Sequence, residues 1–150
     1  MTVYFFDTSA ISKRYVVEIV SQWVKRLIHQ RAKHTIIISQ LTTVEFVSVM
    51  ARRERKGRLS AADRVRTQNL FLRHVDNRYL GVELEKEVLR RARLLLVNHP
   101  LRSLDAIQLA SALNIAHLIG TPITFVSADQ RLLNAASAEG FATDEPNAHP

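Results

Sequence analysis

Short apolar runs alternate with longer helical segments along this chain, and this alternation limits the folds open to it. Five runs of three or four residues are too short for helices, and most are rich in β-branched and aromatic side chains, which favours strands. These predicted strands cover residues 3–6, 35–38, 79–82, 123–126 and 141–143. Because each helical crossover returns the chain to the same sheet, the order predicts an α/β fold with a parallel or mostly parallel central sheet and helices on both faces.

The segments between these strands have helical periodicity. After Ser9, a cap candidate, apolar residues recur every four positions from Ile11 to Leu27, which predicts one amphipathic helix of about five turns. Further helices are predicted over residues 42–57, 60–75, 83–97, 103–119 and 128–138, with capping residues at Ser60 and Ser103. Since no linker or repeat separates these elements, we expect a single domain over residues 1–150, in which about 145–150 form a flexible tail.

Charge and cysteine content narrow the classes of function. The sequence contains 21 Lys and Arg against 14 Asp and Glu, a formal net charge of +7, which favours anionic partners such as nucleic acid. It contains no cysteine, which excludes disulfide scaffolds, zinc–thiolate sites, iron–sulfur clusters and cysteine nucleophiles. The chain enters its first strand without a basic leader and has no apolar stretch of about 18 residues, so we expect a soluble, cytoplasmic protein with no membrane contact.

Four acidic residues are predicted to meet at one edge of the sheet. Asp7 directly follows the first strand, Asp129 lies three residues after Val126, and Glu45 and Asp105 fall in the first turns of helices. In open parallel sheets the ligand site lies beyond the carboxyl ends of the strands. We therefore expect all four carboxylates to face the same rim.

Each of these acids also has a purely structural interpretation. Carboxylates are favoured in first helical turns, which would explain Asp105, and Glu45 could complete a capping box with Thr42. Asp129 could cap the helix that begins at Gln130. Asp7 is harder to explain in this way, because a carboxylate at the end of a buried strand needs hydrogen-bonding partners or a metal ion.

Taken together, the acids indicate a metal site. Several like charges brought close together repel, and a hard divalent cation with oxygen ligands relieves the repulsion. Mg²⁺ fits, with Mn²⁺ as the second choice, whereas zinc would require histidine or cysteine, and none of the six histidines is adjacent to these residues. A basic protein with such a site is expected to cleave phosphodiester bonds by metal-activated water.

Four segments, taken in order, resemble the PIN-domain ribonucleases. They are Asp7 to Ala10 after an apolar strand, Glu45 in a Thr-Thr-Val-Glu helix start, Leu104 to Ala110, and Phe125 to Asp129. Within that family the chain is most similar to the VapC toxins of toxin–antitoxin pairs, and the resemblance extends from Val3 to about Phe141. It implies a three-layer α/β/α, Rossmann-like PIN fold and a Mg²⁺-dependent endoribonuclease site of Asp7, Glu45, Asp105 and Asp129.

The same resemblance implies supporting residues and partners. Thr8 or Ser9, together with Ser127, would provide polar support to the acids. The resemblance also implies a homodimer and a cognate antitoxin protein that blocks the site.

A basic cluster offers a binding surface for RNA. Arg52, Arg53, Arg55 and Lys56 lie close together before Gly57 and could rim the site and hold phosphates. The alternative is a solvated helix end, where cations are favoured by the helix dipole.

Two other classes of function remain open. A non-catalytic RNA- or protein-binding domain of the same fold would need the basic charge and not the carboxylates. A phosphatase with an aspartyl nucleophile needs a second Asp two positions after the first, where this chain has Ser9.

Overall fold

A central sheet of five parallel strands organises the molecule. The computed structural model describes residues 1–150, except for the side chain of Glu18. The strands are β1 (Val3–Phe6), β2 (Thr35–Ser39), β3 (Leu80–Val82), β4 (Thr124–Val126) and β5 (Ala142–Asp144). Their order is β3-β2-β1-β4-β5, and every neighbouring pair is parallel. The predicted mostly parallel sheet is therefore confirmed, and β1, the most apolar strand, lies at its centre.

Helices cover both faces of this sheet. The α-helices are α1 (Thr8–Ile11), α2 (Gln22–Ile28), α3 (Leu41–Arg55), α4 (Ala61–Asn77), α5 (Lys86–Asn98), α6 (Ser103–Ile119) and α7 (Gln130–Ala138). Short 3-10 helices occupy Ser12–Arg14, Val17–Ile19, Gln30–Ala32 and Pro146–Ala148. None of the helices in the described part of the chain is long and apolar enough to span a membrane.

Alternating residues of β1, β2 and β4 enter two separate cores. Phe5 packs with buried residues of α5, α6 and α7 on one face of the sheet. Phe6, its neighbour, packs with residues of α1 to α4 on the other face. This alternation follows from the two-residue repeat of a strand and completes the three layers predicted from the sequence.

The first predicted helix is wrong in its extent. In place of five continuous turns, α1 ends at Ile11, two 3-10 helices follow, and α2 begins only at Gln22. The backbone is extended at Val16 and leaves the helical conformation again at Val20. Val16, Val17, Ile19 and Val20 are β-branched and lose side-chain freedom in a helix, so the four-residue apolar repeat does not extend one helix through this segment.

Three predicted caps are also corrected. Asp7 occupies the N-cap of α1, so Ser9 lies inside that helix and does not cap it. Gln40 occupies the N-cap of α3 and Arg102 that of α6, and neither makes a side-chain capping bond. Thr42 and Ser103 therefore lie inside their helices and do not begin them as caps. Ser60 does cap α4, since its Oγ accepts a hydrogen bond from the Asp63 backbone N–H.

The end of the chain is packed where the sequence predicts a flexible tail. Pro146 is buried and begins a short 3-10 helix. The His149 ring stacks on Trp23 at 4.1 Å between centroids, and its Nε2 lies 2.7 Å from Asp144 Oδ1. A polar, proline-containing end thus gains contacts from α2 and β5 that local sequence cannot reveal.

Candidate active site

The four acids surround one end of the sheet. Asp7 directly follows β1, and Asp129 follows β4, the strand paired with it. A pocket of about 650 Å³ at this edge is lined by residues that include Glu45, Asp105 and Asp129. Parallel strands bring these residues together because their carboxyl ends share one edge.

Asp7 is the most buried of the four. Its side chain is 5% exposed, and it caps α1, where its Oδ1 accepts a hydrogen bond from the Ala10 N–H at 2.9 Å. Ser9 Oγ donates to the same oxygen at 2.7 Å, and Ser127 Oγ donates to Oδ2 at 2.7 Å. Burial raises the pKa of Asp7 to about 6, against the opposing effect of these hydrogen bonds. These neutral hydrogen-bond donors therefore fix the orientation of the Asp7 carboxylate but do not neutralise its charge.

The loop after β4 is tied to α1 through the same serines. Ser9 Oγ accepts a hydrogen bond from the Ala128 N–H at 3.0 Å, and Ser127 Oγ accepts one from the Asp129 N–H at 3.0 Å. Asp129 itself caps α7, with its Oδ1 accepting from the Arg131 N–H at 2.9 Å. The capping interpretation of Asp129 is thus confirmed, and this role leaves Oδ2 free for a further interaction.

Glu45 lies one turn inside α3 and is held from two sides. Its Oε1 accepts a hydrogen bond from Thr8 Oγ1 at 2.8 Å and another from Gln108 Nε2 at 2.8 Å. Because Gln40 caps α3, Glu45 does not complete a capping box with Thr42, and that interpretation is wrong. Thr42 is instead buried and accepts a hydrogen bond from the same Gln108 amide at 2.9 Å.

Asp105 occupies the first turn of α6 and makes no side-chain hydrogen bond among the described residues. Partial burial raises its pKa, and the charges of Asp129 and Glu45 raise it further, while Arg102 opposes them. Asp105 also raises the pKa of Asp7, although less than burial does. The four acids therefore influence one another electrostatically across the pocket.

Among the described side chains, no three or more Asp, Glu, His or Cys are grouped closely enough to hold a metal ion by themselves. The four carboxylates also form no salt bridge with a described Lys, Arg or His. Glu45, Asp105 and Asp129 thus line one pocket, Asp7 lies outside that lining, and the four acids do not form a closed cage.

Basic residues line a groove further along α3 from Glu45. Arg52, Arg53 and Lys56 line a shallow groove with Val49, whereas Arg55 is exposed outside it. Glu45, Val49, Arg52 and Lys56 are spaced by four, three and four residues, so they follow one face of α3.

Three polar residues at this site are not among those predicted from the sequence. Arg102 and Arg131 line the pocket next to Asp105 and Asp129, and their adjacency to those acids in the sequence is the signal that could have identified them. Gln108 is 2% exposed and lies three residues after Asp105, on the same face of α6. The sequence feature that could have identified Gln108 is its position as a polar residue between Ile107 and Leu109.

The protein has a three-layer α/β/α fold and an acidic pocket at the carboxyl edge of its sheet. These two features place it among the small α/β proteins whose polar ligand site lies at that edge. Residues 4–137 match the PIN domain family, so the chain belongs to that family. No curated protein sequence matches the chain.

Solved structures of low sequence identity share the fold. PAE2754 from Pyrobaculum aerophilum is 20% identical, with a TM-score of 0.66 over 98% of this chain and 91% of its own. VapBC2 from Rickettsia felis, bound to a DNA fragment from its promoter, is 13% identical, with a TM-score of 0.66 over 96% and 98%. VapC20 from Mycobacterium tuberculosis, described as a sarcin-ricin loop cleaving toxin, is 18% identical, with a TM-score of 0.61 over 93% and 96%.

Proposed function

We propose that this protein is a Mg²⁺-dependent endoribonuclease that hydrolyses phosphodiester bonds of RNA and acts as the toxin of a toxin–antitoxin pair. The observation that carries the proposal is the grouping of Glu45, Asp105 and Asp129 around one pocket, with buried Asp7 coupled to Asp105. PIN domains are generally nucleases. The similar fold of VapC20, described as a sarcin-ricin loop cleaving toxin, supports the toxin assignment.

The chemistry of the donor set fits Mg²⁺, with Mn²⁺ as an alternative. All four candidate ligands are carboxylates, and no histidine lines the pocket. Mg²⁺ is usually held by one or two carboxylates, waters and substrate phosphate oxygens, so a group of three acids is not required. We propose Asp7 and Asp105 as ligands, together with Glu45 and Asp129. A bound divalent ion would lower the pKa of water and neutralise charge on the phosphate.

The protein's own residues would orient the reacting groups. Ser9, Ser127 and the Ala10 N–H fix the direction of the Asp7 carboxylate before substrate arrives. A carboxylate on the rim would accept a hydrogen bond from the attacking water and direct it toward phosphorus. Attack by water on phosphorus, with the bond to the 3′ oxygen breaking and that oxygen taking up a proton, leaves a 5′-phosphate and a 3′-hydroxyl.

The basic residues would bind the RNA backbone on both sides of the cleaved bond. Arg102 and Arg131 line the acidic pocket itself, where their guanidinium groups can bind phosphate oxygens. Arg52, Arg53 and Lys56 would continue the path along α3, and Arg55 would add charge beside it. These contacts to phosphates position RNA without reading its sequence.

The decisive experiment is RNA cleavage by the purified chain with and without Mg²⁺. Cleavage should require the ion, stop in excess chelator and leave the product ends given above. Asp105→Asn should abolish it, whereas Asp76→Asn, a matched change at an exposed acid of α4, should not. Full cleavage in excess chelator would overturn the metal-dependent mechanism. RNA binding without cleavage would instead favour the non-catalytic binding domain.

The proposed partners are a cognate antitoxin and a second copy of the chain in a homodimer, acting in the cytoplasm. An Arg or Lys of the antitoxin would approach Asp7, Glu45 and Asp105 and compete with Mg²⁺ for them. Because the uninhibited nuclease would cleave cellular RNA, expression of the chain alone should arrest growth. Co-expression of the neighbouring small reading frame should restore growth and give a complex that co-purifies, and harmless expression of the folded, metal-bound chain would contradict the toxin role.

A further inference from the structure

We propose that Gln108 is a positioning residue of this site, whose amide holds one oxygen of Glu45 so that the other oxygen faces the pocket for a divalent cation. The inference rests on the metal-dependent function proposed above and adds a residue outside the acidic set. It concerns the direction of a ligand and not the chemistry of cleavage.

The Gln108 amide joins three helices beneath one carboxylate. From α6, its Nε2 lies 2.8 Å from Glu45 Oε1 and 2.9 Å from Thr42 Oγ1, both on α3. It also lies 3.2 Å from Thr8 Oγ1 on α1. Thr8 and Thr42 contact each other as well, at 3.1 Å between their hydroxyl oxygens. The four side chains therefore form one network, with Glu45 as its charged member.

The charge of Glu45 fixes the direction of the Gln108 amide. An ionised carboxylate only accepts hydrogen bonds, so the NH₂ group of Gln108 must face it. As a result, the buried Gln108 Oε1 has no hydrogen-bond partner among the described residues. Turning the amide over would place its oxygen against the carboxylate oxygen. Because an unpaired buried carbonyl lowers stability, a glutamine that served only packing would be a poor choice here.

The network leaves the two oxygens of Glu45 in different states. Oε1 accepts hydrogen bonds from Thr8 and Gln108, while Oε2 accepts none from the described part of the chain. Glu45 also lines the acidic pocket. In metal sites, the groups that hydrogen-bond a ligand orient it and tune its affinity. Glu45 is thus prepared to offer a single oxygen, whereas both oxygens of Asp7 are hydrogen-bonded.

The test is Gln108→Met, which keeps the volume and removes the amide. Three measurements are needed. The first is the affinity for Mn²⁺, from the electron paramagnetic resonance signal of the free ion. The others are kcat and KM for RNA cleavage, and the temperature of thermal unfolding in chelator. We expect the dissociation constant for Mn²⁺ to rise about 10- to 100-fold and kcat to fall by a similar factor, with little change in KM. The unfolding temperature should stay the same or rise, because the unpaired carbonyl is also removed.

Ser111→Ala is the matched control in the same helix. Ser111 is fully buried and its Oγ donates to Ser39 Oγ and to the Ile107 carbonyl, away from the acids. This variant should lower the unfolding temperature and leave Mn²⁺ affinity unchanged. If Gln108→Met behaves like Ser111→Ala, Gln108 has only a structural role and the proposal is overturned.

Two further variants keep the result decisive. Thr8→Val removes the other donor to Glu45 Oε1, so it should weaken Mn²⁺ binding in the same direction even if Gln108→Met does not fold. In a Glu45→Gln background, Gln108→Met should weaken Mn²⁺ binding no further, and additive losses would contradict the inference. If the wild-type chain binds Mn²⁺ but cleaves no RNA, the proposed nuclease function fails, while the Mn²⁺ measurements still decide the role of Gln108.

Discussion

Two buried polar networks in this protein differ in charge. One surrounds Asp7 at the carboxyl edge of the sheet and keeps a carboxylate inside the protein with hydroxyl and amide partners. The other joins Tyr15, His74 and Tyr79 on the α4 side of the sheet. The first network is joined through Ser127 to Asp129, which lines the acidic pocket. The second lies beside the apolar core on its face of the sheet, with the Arg14 guanidinium 5.3 Å from the centroid of the Tyr15 ring.

The tyrosine–histidine network is satisfied without a charge. Tyr15 OH lies 2.6 Å from His74 Nδ1 and also contacts the Tyr79 hydroxyl. Burial, together with the charges of Arg78, Arg14 and Arg73, lowers the pKa of His74 to about 4. Burial raises the pKa of Tyr79 to about 12. With His74 neutral, Tyr79 can donate to Tyr15 and Tyr15 to His74, so each hydroxyl proton has an acceptor.

The difference indicates which network serves function. A neutral, fully paired network stabilises the fold, because none of its groups is left charged in the interior. The Asp7 network keeps a carboxylate whose charged form is disfavoured by burial. That arrangement lowers stability, and strained or costly groups are characteristic of functional sites.

Asp7→Asn should have the largest effect and should change stability and activity in opposite directions. RNA cleavage should fall more than about 100-fold, beyond the usual loss from removing a supporting residue of a metal site. In chelator at pH 7, the free energy of unfolding should rise by roughly 3 kcal/mol, the equivalent of a pKa raised from 3.8 to about 6. Urea unfolding and a cleavage assay measure both, with Asp76→Asn as the control that should change neither.

The gain from Asp7→Asn should depend on pH. Because the pKa of Asp7 is higher in the folded state, folded protein binds more protons between about pH 4 and 6, and wild-type stability is lost as pH rises through this range. The difference between variant and wild type should therefore shrink as pH falls toward 4. A constant difference would contradict an ionised, buried Asp7.

His74 should produce a pH effect of the opposite sign and nearly equal size. Its pKa is lower in the folded state than the 6.5 of an unperturbed histidine, so unfolded protein binds more protons and stability is lost as pH falls from 6.5 toward 4. The full loss approaches roughly 3 kcal/mol. The test uses the Asp7→Asn background, where the opposing pH effect of Asp7 is absent. In that background, adding His74→Gln should flatten the fall in the free energy of unfolding between pH 6.5 and 4. An unchanged fall would show that another group titrates.

Tyr15→Phe should destabilise the protein by about 1–3 kcal/mol, because it leaves buried groups of His74 and Tyr79 without their partner. Cleavage per folded molecule should stay unchanged, since no residue of this network lines the acidic pocket. Tyr4→Phe is the matched control, because the Tyr4 hydroxyl makes no hydrogen bond within the described residues and the ring contacts with Phe6 and His34 are kept. Equal losses in the two variants would rule out a special role for the Tyr15 hydroxyl.

His149→Ala should have the smallest effect, a loss of about 1 kcal/mol in the free energy of unfolding. Stacked aromatic pairs contribute about this much, and the His149 ring lies parallel to Trp23 within 9°. The exposed His117→Ala serves as the comparison and should change stability by less than about 0.5 kcal/mol. A loss no larger than that of His117→Ala would mean that the chain end does not pack as described.

Local sequence was sufficient to predict the sheet and most helices. The apolar run at Val3–Phe6 and the β-branched run at Thr35–Ser39 both form strands, because each is short and buried on both faces. Local sequence failed between Ile11 and Leu27, where the apolar repeat was correct but β-branched residues interrupt the helix. Local sequence also carries no signal of the contact between His149 and Trp23, which are more than 120 residues apart.

For the site, the sequence by itself determined which carboxylates follow the strands and open the helices, because parallel topology brings strand ends to one edge. Composition and spacing did not determine which groups hold those carboxylates: Ser127 was expected only from the family resemblance, and Gln108 was not expected at all. Ser127 reaches Asp7 across 120 positions of sequence, and Gln108 reaches Glu45 across 63. Hydrogen bonds between such distant residues depend on how α6 and the β4–α7 loop pack against α1 and α3, and no local propensity encodes that packing.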